Sequence, residues 1–323
     1  MTRTSEQVSS APAGPEEFQH EALLYAGSDE FLGATVPFVA EGVAAGEPVL
    51  VAVPEPRLSA LRDAVGDVGR HVAFADMARI GANPAHIIPV WRDFLDRHGR
   101  GTRPVRGIGE PIWADRGPDE LVECQRHEAL LNVAFAGSGA WRLLCPYDTT
   151  TLDPSVVDEA RRSHPILSQA GTRQANADCQ DLDAMGRPFD APLPPSPAIA
   201  DSVDFVSITL PSVRRFVARL AAGAGLLPPR LDDLTLSVHE IAANSVRHGG
   251  GTGVVRGWTD GERVVFEVAD RGHVVDPLAG RTKPALQGVH GRGLWMAHQL
   301  CDLVQLRTFA AGTVVRLHMH TNR

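Results

Sequence analysis

Lysine is almost absent from this 323-residue chain. Lys283 is the only one, so nearly all of the 31 basic side chains are arginine, a bias that reflects genomic base composition rather than chemistry. Cysteine is scarce too. Cys124, Cys145, Cys179 and Cys301 lie far apart and form no CxxC pair. That excludes a disulfide scaffold and a zinc ribbon, and fits a reducing cytoplasm. No apolar run reaches the roughly 18 residues that a membrane-spanning helix needs. The opening MTRTSEQVSSAPAGPEEF is polar and has no apolar h-region, so residues 1–17 read as a disordered tail rather than a secretory signal. The phosphate-binding pattern GxxxxGK[ST] occurs nowhere. A zinc-protease HExxH is missing as well. His239-Glu240 is followed by Ala243 where the second histidine should stand, and the two HEALL pentapeptides at 20–24 and 127–131 fail in the same way. The flanks of those pentapeptides do not match, so they are not an internal repeat.

What is present is ordinary for a globular protein: 43% hydrophobic and 22% charged residues, in a chain long enough for two cores. Charge is uneven. From residue 201 onward 14 basic side chains face 11 acidic ones, a net of +3; before it 17 face 28, a net of −11. The positive half suits an anionic ligand but is too weak a field for nucleic acid. Proline and small polar residues crowd 168–200, the expected linker, where no helical or strand periodicity persists. Before it, EPVLVAV (47–53) and AWRLLCPYD (140–148) read as buried strands, and RLSALRDAVG (57–66) and PAHIIPVWRDFLDRHG (84–99) as helices. This alternation predicts an α/β domain with a mostly parallel sheet over 18–167. After the linker, residues 201–323 predict an α+β two-layer sandwich. A strand and helix are followed by a helix over 231–248, a hairpin turning at Asp260-Gly261, a glycine-rich loop, a helix over 293–302 and two final strands.

The helix over 231–248 carries the chemistry. Leu234, Val238, Ile241 and either Ala242 or Ser245 follow the spacing of a buried stripe. Glu240, Asn244 and His248 recur every fourth residue on another side, beside three glycines. A carboxylate and a neutral amide one turn apart suit a hydrated magnesium ion and a phosphate chain, since magnesium takes oxygen ligands. Further on, the strand RVVFEVAD ends in Asp270, with Gly272 two residues later. There a carboxylate can accept from a purine amine, and a glycine lets the backbone approach the ring. QGVHGRGLWM then places Gly288, Gly291 and Gly293 before an apolar helix, where backbone amides suit phosphate oxygens. Gly312-Thr313 opens the last strand. Each signal alone has a bland reading; their order does not.

Residues 205–320 resemble the GHKL, or Bergerat-fold, ATPase domain: EIAANSVRHG as its N-box, DRG and GRGL as its glycine boxes, and GT in the last strand. Within that group the chain is similar to the bacterial anti-sigma-factor serine/threonine kinases, through LPSVRRFVARLAAGAGL and LTLSVHEIAANSVRHG. The resemblance implies ATP and Mg2+ as ligands, with Asn244 on the metal and Glu240 as general base. It implies that Asp270 and Gly272 bind adenine, and that Thr313 supports them. It makes 276–292 a lid, with Gly291, Arg292, Gly293 and Leu294 at the phosphates. The implied partners are a STAS-type antagonist carrying the acceptor serine or threonine and, for the domain as a homodimer, a sigma factor. Two alternatives remain: a histidine kinase, whose nearest upstream acceptor would be His164, and a nucleotide-gated binding module without transfer.

Residues 20–167, with RGIGEPIW, CPYD and SHP, are similar to the MEDS sensory domain, a module distantly like RecA folds. The resemblance implies a signal-binding role, and without a P-loop no nucleotide hydrolysis. Among its polar residues Glu110 and His127 are noted, and His20, Tyr25, Cys145, Tyr147, Asp148 and His164 are the candidate sensory residues. His20, Cys145 and His164 could form a soft-metal or redox site. Trp91, Phe94 and Trp113 either belong to the core or line a pocket for a small apolar signal.

Overall fold

The computed structural model of the protein describes residues 17–99, 104–181, 184, 190–284 and 291–322. The expected tail therefore lies, but for residue 17, outside the described residues. The elements run β1 (Phe18–Tyr25), α1 (Gly27–Ala44), β2 (Val49–Val53), α2 (Arg57–Val65), β3 (Val72–Asp76), α3 (Met77–Ile80), α4 (Ile87–His98), β4 (Val105–Gly109), α5 (Pro118–Ala134), β5 (Trp141–Asp148), α6 (Pro154–Ser163), β6 (Ile166–Gln169) and β7 (Thr172–Ala175). They continue with β8 (Asp201–Val206), α7 (Leu210–Gly223), α8 (Arg230–His248), β9 (Thr252–Asp260), β10 (Arg263–Asp270), α9 (Arg292–Leu300), β11 (Leu303–Phe309) and β12 (Gly312–His320). By contacts the chain divides into two compact units.

The first unit comprises Met1–Ala75, Arg97–Glu110 and Phe135–Cys179. Its seven-stranded sheet has the order β3-β2-β4-β5-β1-β6-β7. β1 pairs in parallel with β5 and β6, and β4 in parallel with β2 and β5. Every residue of β2 and β4 is buried, as expected of strands covered on both faces. The sheet ends in an antiparallel hairpin, β6–β7, which extends into the segment expected to be a structureless linker. The reason is visible: β7 is the short polar run TRQA, largely exposed, with no alternation to read. Side chains hold it instead, Arg173 donating to Glu21 at 2.7 Å and to Gln19 at 2.8 Å.

At the carboxyl ends of the parallel strands four polar groups meet. Tyr25 donates to Glu110 at 3.1 Å, and Arg57, opening α2, lies 3.3 Å from Glu110 and 2.9 Å from Asp148. Burial pushes the Glu110 carboxyl up to about 8, despite the opposing pull of Arg57.

The second unit comprises Asp76–Asp96, Pro111–Ala134 and Gln180–Arg323. Its five-stranded sheet, β11-β12-β10-β9-β8, is antiparallel throughout its described pairs. The β9–β10 hairpin turns at Gly261, whose φ of 59° suits a residue without a Cβ. α7, α8 and α9 form the second layer. Phe205, Val217, Leu234, Val238, Phe266 and Leu317 fill the space between, each worth roughly 1.5–3 kcal/mol on burial.

Two elements from earlier in the chain are built into this unit. Asn83 donates to the carbonyls of His298 and Cys301 at 2.9 and 3.3 Å, and His86 Nε2 lies 2.7 Å from the His298 carbonyl. Together they satisfy acceptors that the end of α9 would otherwise leave orphaned. From α5, Glu123 takes a bond from Arg281 and another from Arg307, both at 2.7 Å. All three side chains are at most 5% exposed. Burial lowers the Arg281 guanidinium to about 10.

Two outcomes are expected. The folded pKa of Glu110 lies above its ordinary 4.5, so the stability this proton contributes is full below that value. It falls as pH climbs toward about 8 and is constant above. Urea melts across the window should show Glu110→Gln gaining on wild type as pH rises; a pH-independent difference would remove Glu110 as the titrating group. Glu123→Gln leaves two buried guanidinium groups without a counter-charge and should cost about 3–5 kcal/mol of unfolding free energy. A loss under about 1 kcal/mol would show that solvent reaches them.

Candidate functional site

Helix α8 supplies one wall of the site. Leu234, Val238, Ile241, Ala242 and Ser245 are buried, which leaves Glu240 and Asn244 half-buried on the adjoining side and His248 exposed. A helix sets residues four apart on one face, so Glu240 and Asn244 lie one above the other. Arg247 donates to Asn244 Oδ1 at 3.1 Å. His239, beside Glu240, is held below the ordinary imidazole range, chiefly by burial and then by the charge of Arg214.

The second wall is the end of β10. Ser245 donates to Asp270 Oδ2 at 2.5 Å and the Gly272 amide to Asp270 Oδ1 at 2.6 Å, so the carboxylate is clamped between helix and loop. Both oxygens keep a lone pair for a further donor. The Gly272 carbonyl accepts from Thr313 at 2.8 Å, and Thr313 lies 3.2 Å from the Thr308 hydroxyl. This floor is built by close backbone approach. A Cβ on Gly249 would stand 2.5 Å from the Asp270 carboxyl carbon, and one on Gly272 would stand 2.7 Å from Gly249 Cα.

The third wall is the start of α9. Gly291 caps it in the left-handed region with φ 84°, and no side chain caps the first turn. Gly293 presses against α8: a Cβ there would come within 3.0 Å of Asn244 Nδ2 and 3.4 Å of Glu240 Oε2. The uncapped amides of a helix N-terminus therefore lie beside a carboxylate and an amide, a donor set that fits a phosphate chain with its cation. Gly293 and Leu294 are buried, while Gly291 and Arg292 are exposed. Of the lid expected over 276–292, residues 285–290, including Gly288, lie outside the described residues. Arg281 at its near end is buried.

These contacts bring Glu240, Asn244, Asp270, Gly272, Gly293 and Thr313 together around helix α8. Ser245 had been expected only as part of a buried stripe, and its hydroxyl turns out to hold the acidic residue. The six sensory candidates fall into two groups in the first unit. Tyr25 and Asp148 join Glu110 and Arg57, while His20, Cys145 and His164 converge, with the Tyr147 ring edge-on to His164. Arg57, Glu123, Arg281 and Arg307 were missed. No local pattern in the sequence marks them. Trp91 and Phe94 are core residues, and Trp113 lies under the Arg116 guanidinium at 4.0 Å.

Among the described residues no helix is long and apolar enough to cross a membrane. No curated protein matches the chain. Solved structures are similar to part of it, among them the following two. The RsbU and RsbW domains of Rv1364c from Mycobacterium tuberculosis align at 23% identity over 40% of this chain, with a TM-score of 0.29. The chain spans about a third (34%) of the length of that structure. The histidine kinase AdeS of Acinetobacter baumannii aligns at 12% identity over 38% of this chain and 68% of its own, with a TM-score of 0.25. Residues 19–165 match the family described as MEDS, the MEthanogen/methylotroph, DcmR Sensory domain. Residues 207–319 match the family described as the histidine kinase-like ATPase domain. The chain therefore joins a MEDS sensory domain to an ATPase domain of the GHKL type.

Proposed function

We propose that this protein is a cytoplasmic, sensor-coupled serine/threonine kinase of the anti-sigma-factor type. It would bind Mg-ATP between α8, the end of β10 and the start of α9, and phosphorylate a STAS-type antagonist. As a homodimer it would hold a sigma factor in the alternative state. The observation that carries the reading is the packing of Gly293 onto Glu240 and Asn244, with Asp270 tied to Ser245 on the same helix.

The residues divide the work. Asp270, held by Ser245 and Gly272, presents a fixed acceptor to an adenine amine. The start of α9 offers backbone donors to phosphate oxygens. Asn244 offers an uncharged oxygen to the cation, once released by Arg247. When bound, Mg-ATP supplies the transferable phosphoryl group and a divalent charge that offsets the phosphates. Glu240 stands beside that point as the base for the incoming hydroxyl, with positioning and charge neutralisation doing most of the catalysis. Asn83 and His86 at the far end of α9, and Glu123 on Arg281, give the sensory half of the sequence a hold on the same helix and on the near end of the lid segment.

The histidine-kinase reading is disfavoured by His164. It is 0% exposed at the end of a ten-residue helix, where no outside phosphoryl donor reaches it.

Asp270→Asn and Asn244→Ala should keep the fold by circular dichroism and lose Mg-ATP affinity by roughly ten- to a hundredfold, as expected when a charge-assisted bond worth about 1.5–3 kcal/mol is removed. Wild-type affinity in both variants would displace the site. With labelled ATP and STAS proteins of the same organism, acid-stable label should appear on one partner. Glu240→Ala should cut that transfer about 10²–10⁴-fold while still binding nucleotide. Acid-labile label on the protein itself would revive the histidine kinase. ATP binding with no transfer to any partner would favour a nucleotide-gated binding module.

A further inference from the structure

His20 and Cys145 stand on the neighbouring strands β1 and β5 of the first sheet, and His164 lies just before β6, the strand on the other side of β1. In the register of β1 and β5, His20 stands opposite Leu143 and Ala22 opposite Cys145, so His20 and Cys145 are diagonal neighbours on one face. His164 arrives from the other side of β1, at the C-cap of α6, two residues before β6 begins. The three side chains are 1%, 1% and 0% exposed.

Their donor atoms converge. His20 Nε2 lies 3.4 Å from Cys145 Sγ, and all three residues offer a ligand atom within 4.8 Å of the others. The His20 and His164 rings are 3.9 Å apart between centroids. Two ligand atoms on one tetrahedral zinc, with bonds of about 2.1 and 2.3 Å, stand about 3.5 Å apart. The His20–Cys145 pair already has about that separation.

The second observation is the orientation of His164. Its Nδ1 lies 2.8 Å from the Ala160 carbonyl, with the Ser163 hydroxyl at 3.1 Å. A carbonyl only accepts, so Nδ1 carries the proton and Nε2 carries the lone pair. A backbone carbonyl on the far nitrogen is the arrangement that fixes tautomer and ring plane in metal-bound histidines. Phe18 stacks on His20 at 5.7 Å, and Tyr147 meets His164 edge-on at 5.5 Å, enclosing the group in aromatic surface.

We propose that His20, Cys145 and His164 bind a single thiophilic d10 cation, Zn2+ or Cu+, in the MEDS domain. Two neutral imidazoles and one thiolate are borderline-to-soft donors, which select such ions over magnesium or calcium. Binding forms two metal–nitrogen bonds and one metal–sulfur bond, breaks the Cys145 S–H bond and releases one proton to solvent. The site is separate from the nucleotide site, so its test does not depend on ATP chemistry.

Full-length protein, reduced and stripped of metal, is titrated with Zn2+, with Co2+ as its spectroscopic probe, and separately with Cu+ against a competing chelator. One equivalent of Co2+ should give a thiolate-to-cobalt charge-transfer band that Zn2+ displaces. A one-equivalent response to Cu+ alone would assign that ion instead. Cys145→Ser should abolish the band and His164→Gln should weaken binding at least tenfold, both with native circular dichroism; Asn244→Ala should leave it unchanged. If the Cys145 variant does not fold, alkylation of the wild type followed by mass spectrometry decides. Bound metal should protect Cys145 and leave Cys179, the one thiol that is not buried, reactive. No stoichiometric binding of any of these ions, or a band and protection pattern that do not involve Cys145, would overturn the site.

Discussion

The hydrogen bond from Ser245 to Asp270 ties the central helix of the ATPase domain to the end of the strand beneath it. Its length is possible only because Gly249 and Gly272 let two backbone segments touch with no side chain between them. Once Asp270 is fixed, the Gly272 carbonyl is set for Thr313, and the last strand is locked to the same point. Helix α8 then carries Glu240 and Asn244 at a fixed height above that floor, where α9 meets them through Gly293. One short polar bond and three absent Cβ atoms thus set the spacing of the whole site.

A second constraint acts from below. Glu123, Arg281 and Arg307 form a buried ionic group, and such groups contribute less to net stability than to geometry, since desolvation offsets most of their attraction. What the triad imposes here is a position: α5 can sit only where its carboxylate meets both guanidinium groups. The hydrogen bonds of Asn83 and His86 to the end of α9 do the same for the turn before α4. A shift of that turn would be felt directly by the end of α9.

Much of this was legible in the sequence, for reasons that differ between residues. The stripe of α8, the Asp260-Gly261 hairpin and the glycine boxes are local patterns, and local patterns survive in one dimension. HEALL shows the opposite. At 20–24 it lies in the strand β1, and at 127–131 in the helix α5, so the same five residues take whichever form their surroundings impose. β7 escaped notice because its hold is Arg173 on Glu21, some 150 residues away in the chain. Arg57 and Glu123 were unreadable for the same reason: a buried charge is recognised by its partner, and the partner is fixed only by the fold. The convergence of His20, Cys145 and His164 needed the parallel register of β1 and β5, which no spacing along the chain contains.

The path of the chain through the second unit bears on how such a protein can evolve. Residues 76–96 and 111–134 belong by sequence to the sensory family, yet by contacts they belong with the ATPase sheet. The boundary between the two family matches is therefore not the boundary between the two compact units. A recombination event that exchanged sensory modules at the proline-rich stretch would also exchange Asn83, His86 and Glu123. It would strand Arg281 and Arg307 without their carboxylate. Lineages of this architecture are accordingly expected to inherit both halves together, with these residues changing in concert, rather than to assemble them afresh from interchangeable parts.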